Sequence, residues 1–361
     1  MPDGVLFGKV LYLCIFKIAF IDTKRVMTIR ELKKRYKSTL KSSETEDWLD
    51  YRVVRPLSYL WALFFAKLGI HPNTVTIISM FIGAAASIFF MHGSFYYEGS
   101  AGLWFNIIGI LLLCQADILD CTDGQLARLT GKKSRLGRIL DGIAGFTWFI
   151  PIYALLIFRF YNHHSIEFGW FGIPDTEQNA LIATAVVTLL AFYSGFAGMG
   201  GQQRLADYYI QIHLFLLKGE KGSELDSSAQ QQRIYDETPA EAGRLWKNFL
   251  KTYINYTRKQ EEATPEFQRL LGVLRDKYGN AADMPEEVRQ ELLRGMRGIM
   301  PLNAMLTFNF RSAMFFLFCL IDLPVGNFLF EAICMGLLAR YVNHRYEACC
   351  RRVREKIIHN S

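Results

Sequence analysis

The chain has seven cysteines, Cys14, Cys114, Cys121, Cys319, Cys334, Cys349 and Cys350, and they follow no zinc-ligand spacing and no disulfide framework. Internal repeats and low-complexity tracts are absent apart from Gln230 to Gln232, which excludes a solenoid. There is no recognisable nucleic-acid module, and the basic residues follow another pattern, described below, so nucleic acid is not an expected partner. No small-residue cleavage site follows the apolar stretch Val5 to Phe20, which Lys9 and Lys17 interrupt and which is short for a span. It is read as neither a signal peptide nor a further membrane helix. Met27 opens the more convincing start, and residues 1–26 are an upstream extension or an interfacial segment.

Lysine and arginine are also absent from three particular links, 92–100, 161–178 and around 321–325. These links separate apolar runs of spanning length, about 20 residues each, at 74–91, 101–120, 138–160, 179–199, 302–322 and 324–341. The remaining connections are rich in both basic types. By the positive-inside rule both termini, the loop 121–138 and the segment 200–301 face the cytoplasm. Half of the residues are hydrophobic (51%), yet 21% are charged, as expected for membrane spans joined by polar loops. The net charge of +7 suits an anionic bilayer surface.

The expected fold is therefore all-α: an integral membrane protein with six transmembrane helices. Its parts are a cytoplasmic N-terminal segment (1–51), an interfacial amphipathic helix (52–71) and a catalytic transmembrane core of helices 1–4 (72–200). A helical cytoplasmic insertion (201–301), transmembrane helices 5 and 6 (302–343) and a basic cytoplasmic tail (344–361) complete it. The interfacial helix is read from Arg55 and Lys67 set against Leu57, Leu60, Trp61, Phe64 and Phe65. Small residues at Gly83 to Ser87 permit close packing in lipid. In the insertion, helices are expected at Gln202–Leu217, Glu241–Gln260, Pro265–Tyr278 and Pro285–Met296, with Ser223–Gln232 as a linker. Its role as a lid over the polar site or as a homodimer contact stays open.

The polar site is a run of acids where two spans meet. Asp120 and Asp123 are three residues apart, share a helix face and can present oxygens to one ion, with Asp117 a turn deeper and Asp141 one loop later. Oxygen-only ligation suits magnesium, manganese or calcium. Carboxylates at the end of a membrane helix are functional by default. Gly124 admits a close approach, and Arg128, Lys132, Lys133, Arg135 and Arg138 bring positive charge. Acids for metal beside bases for phosphate make a phosphoryl-transfer site.

Two more polar clusters are substrate candidates: Arg311 with Asn303 and Asn309, and Gln202, Gln203, Arg204 and Asp207. Arg135, Arg204 and Arg311 are the candidates for a substrate phosphate. Arg159 reads as a snorkelling residue at the outer end of its helix. Cys349 and Cys350 are either free thiols or acylation sites.

The acid run resembles the signature of the CDP-alcohol phosphotransferase family, D-x2-D-G-x2-A-R-x8-G-x3-D-x3-D, at Asp120, Asp123, Gly124, Ala127, Arg128, Gly137 and Asp141, with every spacer of the right length. The last position holds Gly145 instead of aspartate. The family's Pro-Asn-x-x-Thr is matched at Pro72, Asn73 and Thr76. The resemblance implies six membrane helices and a CDP-linked lipid or alcohol as donor. An acceptor hydroxyl attacks the phosphorus distal to cytidine and CMP leaves, with Mg2+ or Mn2+, as two ions, bound by Asp120, Asp123 and Asp141. It further implies that Asn73 and Arg128 hold the diphosphate, that Gly124, Ala127 and Gly137 belong to the nucleotide site, and that the missing acid completes the second metal site and acts as base.

Asp117, or an acid of the insertion such as Asp207 or Glu224, could replace that base, and Asp117 and Asp141 are taken as the catalytic acids. CDP-diacylglycerol is the favoured donor, and CDP-choline or CDP-ethanolamine with a lipid alcohol is the alternative. A CDP-lipid-binding pseudoenzyme and an ion-coupled transporter are the other classes left open.

Overall fold

The computed structural model describes Tyr36, Thr45 and residues 47–359 apart from Lys133, and among these residues every regular element is a helix. The expectations for residues 1–26 lie outside the described residues. Among the described residues, five helices are long and apolar enough to cross a membrane: Pro72–Met91, Ser100–Thr130, Leu136–Asn162, Glu177–Lys218 and Pro324–His359. This is the pattern of a multi-pass membrane protein. The chain divides into two compact units, residues 1–155 and 156–361.

In the first unit, α1 (Arg55–Lys67), α2 (Pro72–Met91) and α3 (Ser100–Thr130) pack together, followed by α4 (Arg135–Asn162), whose last turns belong to the second unit. Small residues set the close approach. A Cβ on Gly83 of α2 would stand 2.2 Å from Trp148 Cδ1 of α4, so only glycine admits the indole against the α2 backbone. Along α1, Ser58, Tyr59, Ala62 and Phe65 are buried while Phe64 stays 42% exposed. Three hydrogen bonds hold α1 to α3: Ser58 Oγ donates to Ile118 O (2.9 Å), Thr122 Oγ1 to Ser58 O (3.3 Å) and Gln125 Nε2 to Arg55 O (3.1 Å). A helix thus runs over Arg55–Lys67, within the stretch 52–71, and its inner face is committed to protein. At the end of α3, Gly131 takes φ 70°, a left-handed turn that glycine adopts without penalty and that stops the helix before α4.

The second unit holds α5 (Glu177–Phe192) and α6 (Gly200–Lys218), joined without a break by the π-helical segment Tyr193–Met199. The expected boundary at residue 200 therefore falls inside one continuous helix. Then come α7 (Ser228–Glu237), α8 (Arg244–Ala263), α9 (Pro265–Tyr278), α10 (Glu286–Arg297), α11 (Phe308–Leu320), α12 (Pro324–Leu329) and α13 (Gly336–His359). A second π-helical segment, Phe330–Met335, links α12 and α13. Tyr209 of α6 stacks on Tyr346 of α13, with centroids 3.7 Å apart, in the centre of the core. The Glu347 carboxylate caps α9 by accepting from the amides of Glu266 (2.7 Å) and Phe267 (3.3 Å).

Three expectations need correction here. The run 302–322 is not one helix: a turn at Met300–Ala304 precedes α11, which has 13 residues and is shorter than a straight span requires. Asn303 is buried and donates to Ala206 O (3.1 Å), which ties that turn to α6, and Thr307 is extended before α11 begins. The linker Ser223–Gln232 ends at Ser227, whose hydroxyl caps α7 by accepting from Gln230 N at 3.2 Å. Arg159 does not snorkel. It is 3% exposed and ion-paired with Asp322, because a guanidinium in an apolar bundle is far cheaper paired than bare. Cys349 and Cys350 are buried, and a Cβ on Gly295 would stand 2.3 Å from Cys349 Sγ, so these thiols are packing groups rather than an accessible acylation surface.

Candidate metal and nucleotide site

The first unit gathers the acids. Asp120 and Asp123 lie on α3 and Asp141 on α4, and one carboxylate oxygen from each falls within 4.8 Å of the others. Asp123 is buried, Asp120 half-buried and Asp141 exposed, so the group grades from the protein interior to an open side. Three carboxylates this close repel one another, and a hard divalent cation is the species that relieves the repulsion with oxygen ligands alone. The site therefore fits a hard divalent cation.

One oxygen of Asp123 is already held, since Thr76 Oγ1 donates to Asp123 Oδ2 in a short buried hydrogen bond. The same hydroxyl lies 3.3 Å from Pro72 O, which fixes its rotamer on the first turn of α2. The threonine of the Pro-Asn-x-x-Thr run is thereby an orienter of a metal-ligand candidate. The sequence reading noted Thr76 without giving it a role.

Asn73 lies at the other edge of the site. Its Oδ1 accepts from Ser134 Oγ (3.0 Å), and Ser134 Oγ accepts from Gly137 N–H (2.9 Å). A Cβ at Gly137 would stand 2.8 Å from Asn73 Oδ1, so any larger residue there displaces the Asn73 amide. Gly124 is covered by Arg128, whose guanidinium would lie 3.4 Å from a Cβ at 124. Ala127 is half-buried on the next turn. Ser134 was missed in the sequence, although a serine just before a helical stretch is an N-cap signal.

Asp117 is not one of the clustered acids. The oxygens that lie within 4.8 Å of one another come from Asp120, Asp123 and Asp141, while the Asp117 charge still reaches Asp120. At Gly145 a Cβ would meet nothing within 4 Å, so the position of the absent acid is open space.

Arg204 and Arg311 belong to the second unit, and of Arg135 only the backbone is described. Arg311 is 1% exposed; its Nη2 donates to Gln202 Oε1 (2.7 Å) and its Nη1 lies 3.8 Å from Glu331 Oε1. Ser194 Oγ also donates to the Glu331 carboxylate (2.5 Å), so the two π-helical segments and α11 meet on one buried polar network. Glu331 sat unremarked inside an apolar run, and an ionisable residue in a span was the signal for it. Asp207 accepts from Tyr256 OH (3.3 Å), a phenol that burial and then the Asp207 charge push above its ordinary value. Glu224 receives a backbone tie, its N–H donating to Gln211 Oε1 at 2.9 Å.

The family model for CDP-alcohol phosphatidyltransferase matches residues 69–200, the stretch that carries every motif position just described. In this stretch the chain is similar to the CDP-alcohol phosphatidyltransferase family. Over 76 residues the chain is 40% identical to the archaetidylinositol phosphate synthase of Pyrococcus horikoshii, an alignment covering 21% of this chain and 35% of that protein. The chain thus spans about a third of the length of the curated relative it matches. No solved structure gives a significant match. The matched stretch ends within the continuous helix of α5 and α6, so α7 to α13 lie outside it.

Proposed function

We propose that this protein is a metal-dependent membrane transferase that moves a substituted phosphate from a CDP-linked alcohol, CDP-diacylglycerol in preference, to an acceptor hydroxyl with release of CMP. The observation that carries this reading is the convergence of Asp120, Asp123 and Asp141 within 4.8 Å inside the stretch similar to that family. These three residues would hold one or two magnesium or manganese ions, whose charge, when bound, neutralises the diphosphate oxygens. Asn73 and Arg128 hold the nucleotide diphosphate, Gly124 and Ala127 leave room for cytidine, and Gly137 belongs to the same nucleotide site. The acceptor oxygen attacks the distal phosphorus, the bond to the bridging oxygen breaks, and CMP departs with the electron pair. The hydroxyl proton goes to a carboxylate. Asp117 is the first candidate for it, and Asp141 shares the catalytic edge of the site. Arg135, Arg204 and Arg311 were the basic groups favouring a phosphorylated small acceptor. The buried network around Arg311 now favours a structural role for it.

The reading includes a cytoplasmic site and cytoplasmic termini, supported by the three links without lysine or arginine. A cysteine placed at Ser227 and protected from an impermeant thiol reagent in intact cells bears this out, and free labelling reverses it. The catalytic reading is tested by incubating purified protein and magnesium with a panel of CDP donors and hydroxyl acceptors and scoring CMP. No CMP with any pair, or CMP release untouched by EDTA, overturns it.

A second reading rests on Gly145. Without the fourth acid the chain could bind CDP-lipid and release nothing, and CMP release that begins only in Gly145→Asp identifies that case.

A further inference from the structure

Ser134 lies in the eight-residue spacer of the acid motif, at a position the motif leaves free, yet it joins two residues that the motif and its companion specify. Its oxygen accepts the amide hydrogen of Gly137, closing the first turn of α4 as an N-cap. A hydroxyl oxygen that accepts there still has its own hydrogen to give, and the acceptor 3.0 Å away is Asn73 Oδ1 on the first turn of α2. This one donation decides which way the Asn73 amide faces. With Oδ1 turned to Ser134, the NH2 group is the end directed elsewhere, and it is the only end of this side chain that can donate to a phosphate oxygen. Gly137 closes the arrangement, because any larger residue would push Oδ1 away. The backbone amide of Asn73 is itself occupied, donating to His71 Nδ1 at 3.2 Å.

We propose that Ser134 is a positioning residue: by donating to Asn73 Oδ1 it locks the Asn73 amide with its NH2 group available to the diphosphate of a cytidine nucleotide. This rests on the reading of Asn73 as a diphosphate ligand. Held the other way round, Asn73 would present a carbonyl oxygen to an anion, which repels it. The group that sets the flip therefore sets affinity for the nucleotide rather than the rate of the chemical step.

The test is a double-substitution cycle read by binding of CDP, in the presence of magnesium, to the full-length protein in detergent. Ser134→Gly keeps most of the capping preference and removes the hydroxyl, and Ser134→Thr keeps both. The expected result is about 3- to 10-fold weaker CDP binding in Ser134→Gly, the worth of one hydrogen bond. Ser134→Thr should bind like wild type. In an Asn73→Ala background Ser134→Gly should produce no further loss, because its effect passes through Asn73. Equal losses in both backgrounds would show a cap and nothing more, and so would a loss that follows thermal stability; either overturns the proposal. Wild-type affinity in Ser134→Gly also overturns it. If the wild type itself binds no CDP, the nucleotide reading of the site fails first and this proposal fails with it, a result that no Ser134 variant can imitate.

Discussion

The Asn73 side chain fills the space that a Cβ at Gly137 would need across the α2–α4 junction: such an atom would stand 2.8 Å from Asn73 Oδ1. The two positions are more than 60 residues apart in sequence, and the space for one is defined by the side chain of the other. Gly137→Ala should accordingly separate stability from function. Alanine in a helix gains about 0.5–1 kcal/mol over glycine, so thermal unfolding should move little. CDP binding should weaken several-fold as Asn73 is displaced. Unchanged CDP affinity would show that the Asn73 amide is not part of the nucleotide site.

Thr76 and Asp123 give a second test, read without turnover. Removing a group that orients a metal ligand commonly costs 10- to 100-fold in metal affinity, so Thr76→Val should weaken Mn2+ binding by about 10-fold in spin-resonance titrations. Thr76→Ser should restore it. Asp123→Asn should bind more weakly still. If Asp123→Asn titrates like wild type, the three acids are not a metal site.

At Gly145 the open space predicts that aspartate is tolerated, since an added Cβ meets no atom within 4 Å. Gly145→Asp should fold with thermal stability within about 1 kcal/mol of wild type and should bind Mn2+ more tightly than the three-acid site. Its CMP release then distinguishes the two readings. A partial rate gain over an active wild type supports an enzyme with a substitute base, in which case Asp117→Asn should lower turnover by about 100-fold while sparing CDP binding. Activity confined to Gly145→Asp marks a binding protein.

Arg311 and Glu331 form a buried ion pair with both side chains 1% exposed, and breaking such a pair from one side leaves an uncompensated charge. Arg311→Met or Glu331→Leu alone should destabilise the protein by about 3–5 kcal/mol, seen as early thermal unfolding in detergent. The double substitution should recover much of the loss. If the singles are as stable as wild type but lose acceptor binding, Arg311 is a substrate group after all.

Much of the site was legible because its chemistry is written in fixed spacings. Asp120 and Asp123 share a helix face by helical geometry alone, and Gly124, Ala127 and Arg128 follow within two turns. Asp141 joined them through its place one loop later, where the two apolar runs meet, and the resemblance added its fixed spacing. One helix between residues 201 and 301 was legible for a similar reason: α9 begins and ends at the expected residues, where Pro265 opens it and Gly279 follows its end at φ 79°. The linker at 223–232 misled because three glutamines after serine look like loop, while the structure uses Ser227 as a cap and packs α7 on α8.

The sequence by itself determined the helical class, most of the long apolar runs and the shared helix face of Asp120 and Asp123, because hydrophobic length and residue spacing are properties of the chain before it folds. Tertiary structure decided which charged groups are spent on stability. Arg159 with Asp322 and Arg311 with Glu331 lie 163 and 20 positions apart, and a guanidinium in an apolar run reads the same in sequence whether it waits for a phosphate or already holds a carboxylate. It also decided the roles of Thr76 and Ser134, whose hydroxyls acquire meaning only when folding brings Asp123 and Asn73 within hydrogen-bond reach. Directional contacts across distant elements are set by packing, and no periodicity of the chain encodes them.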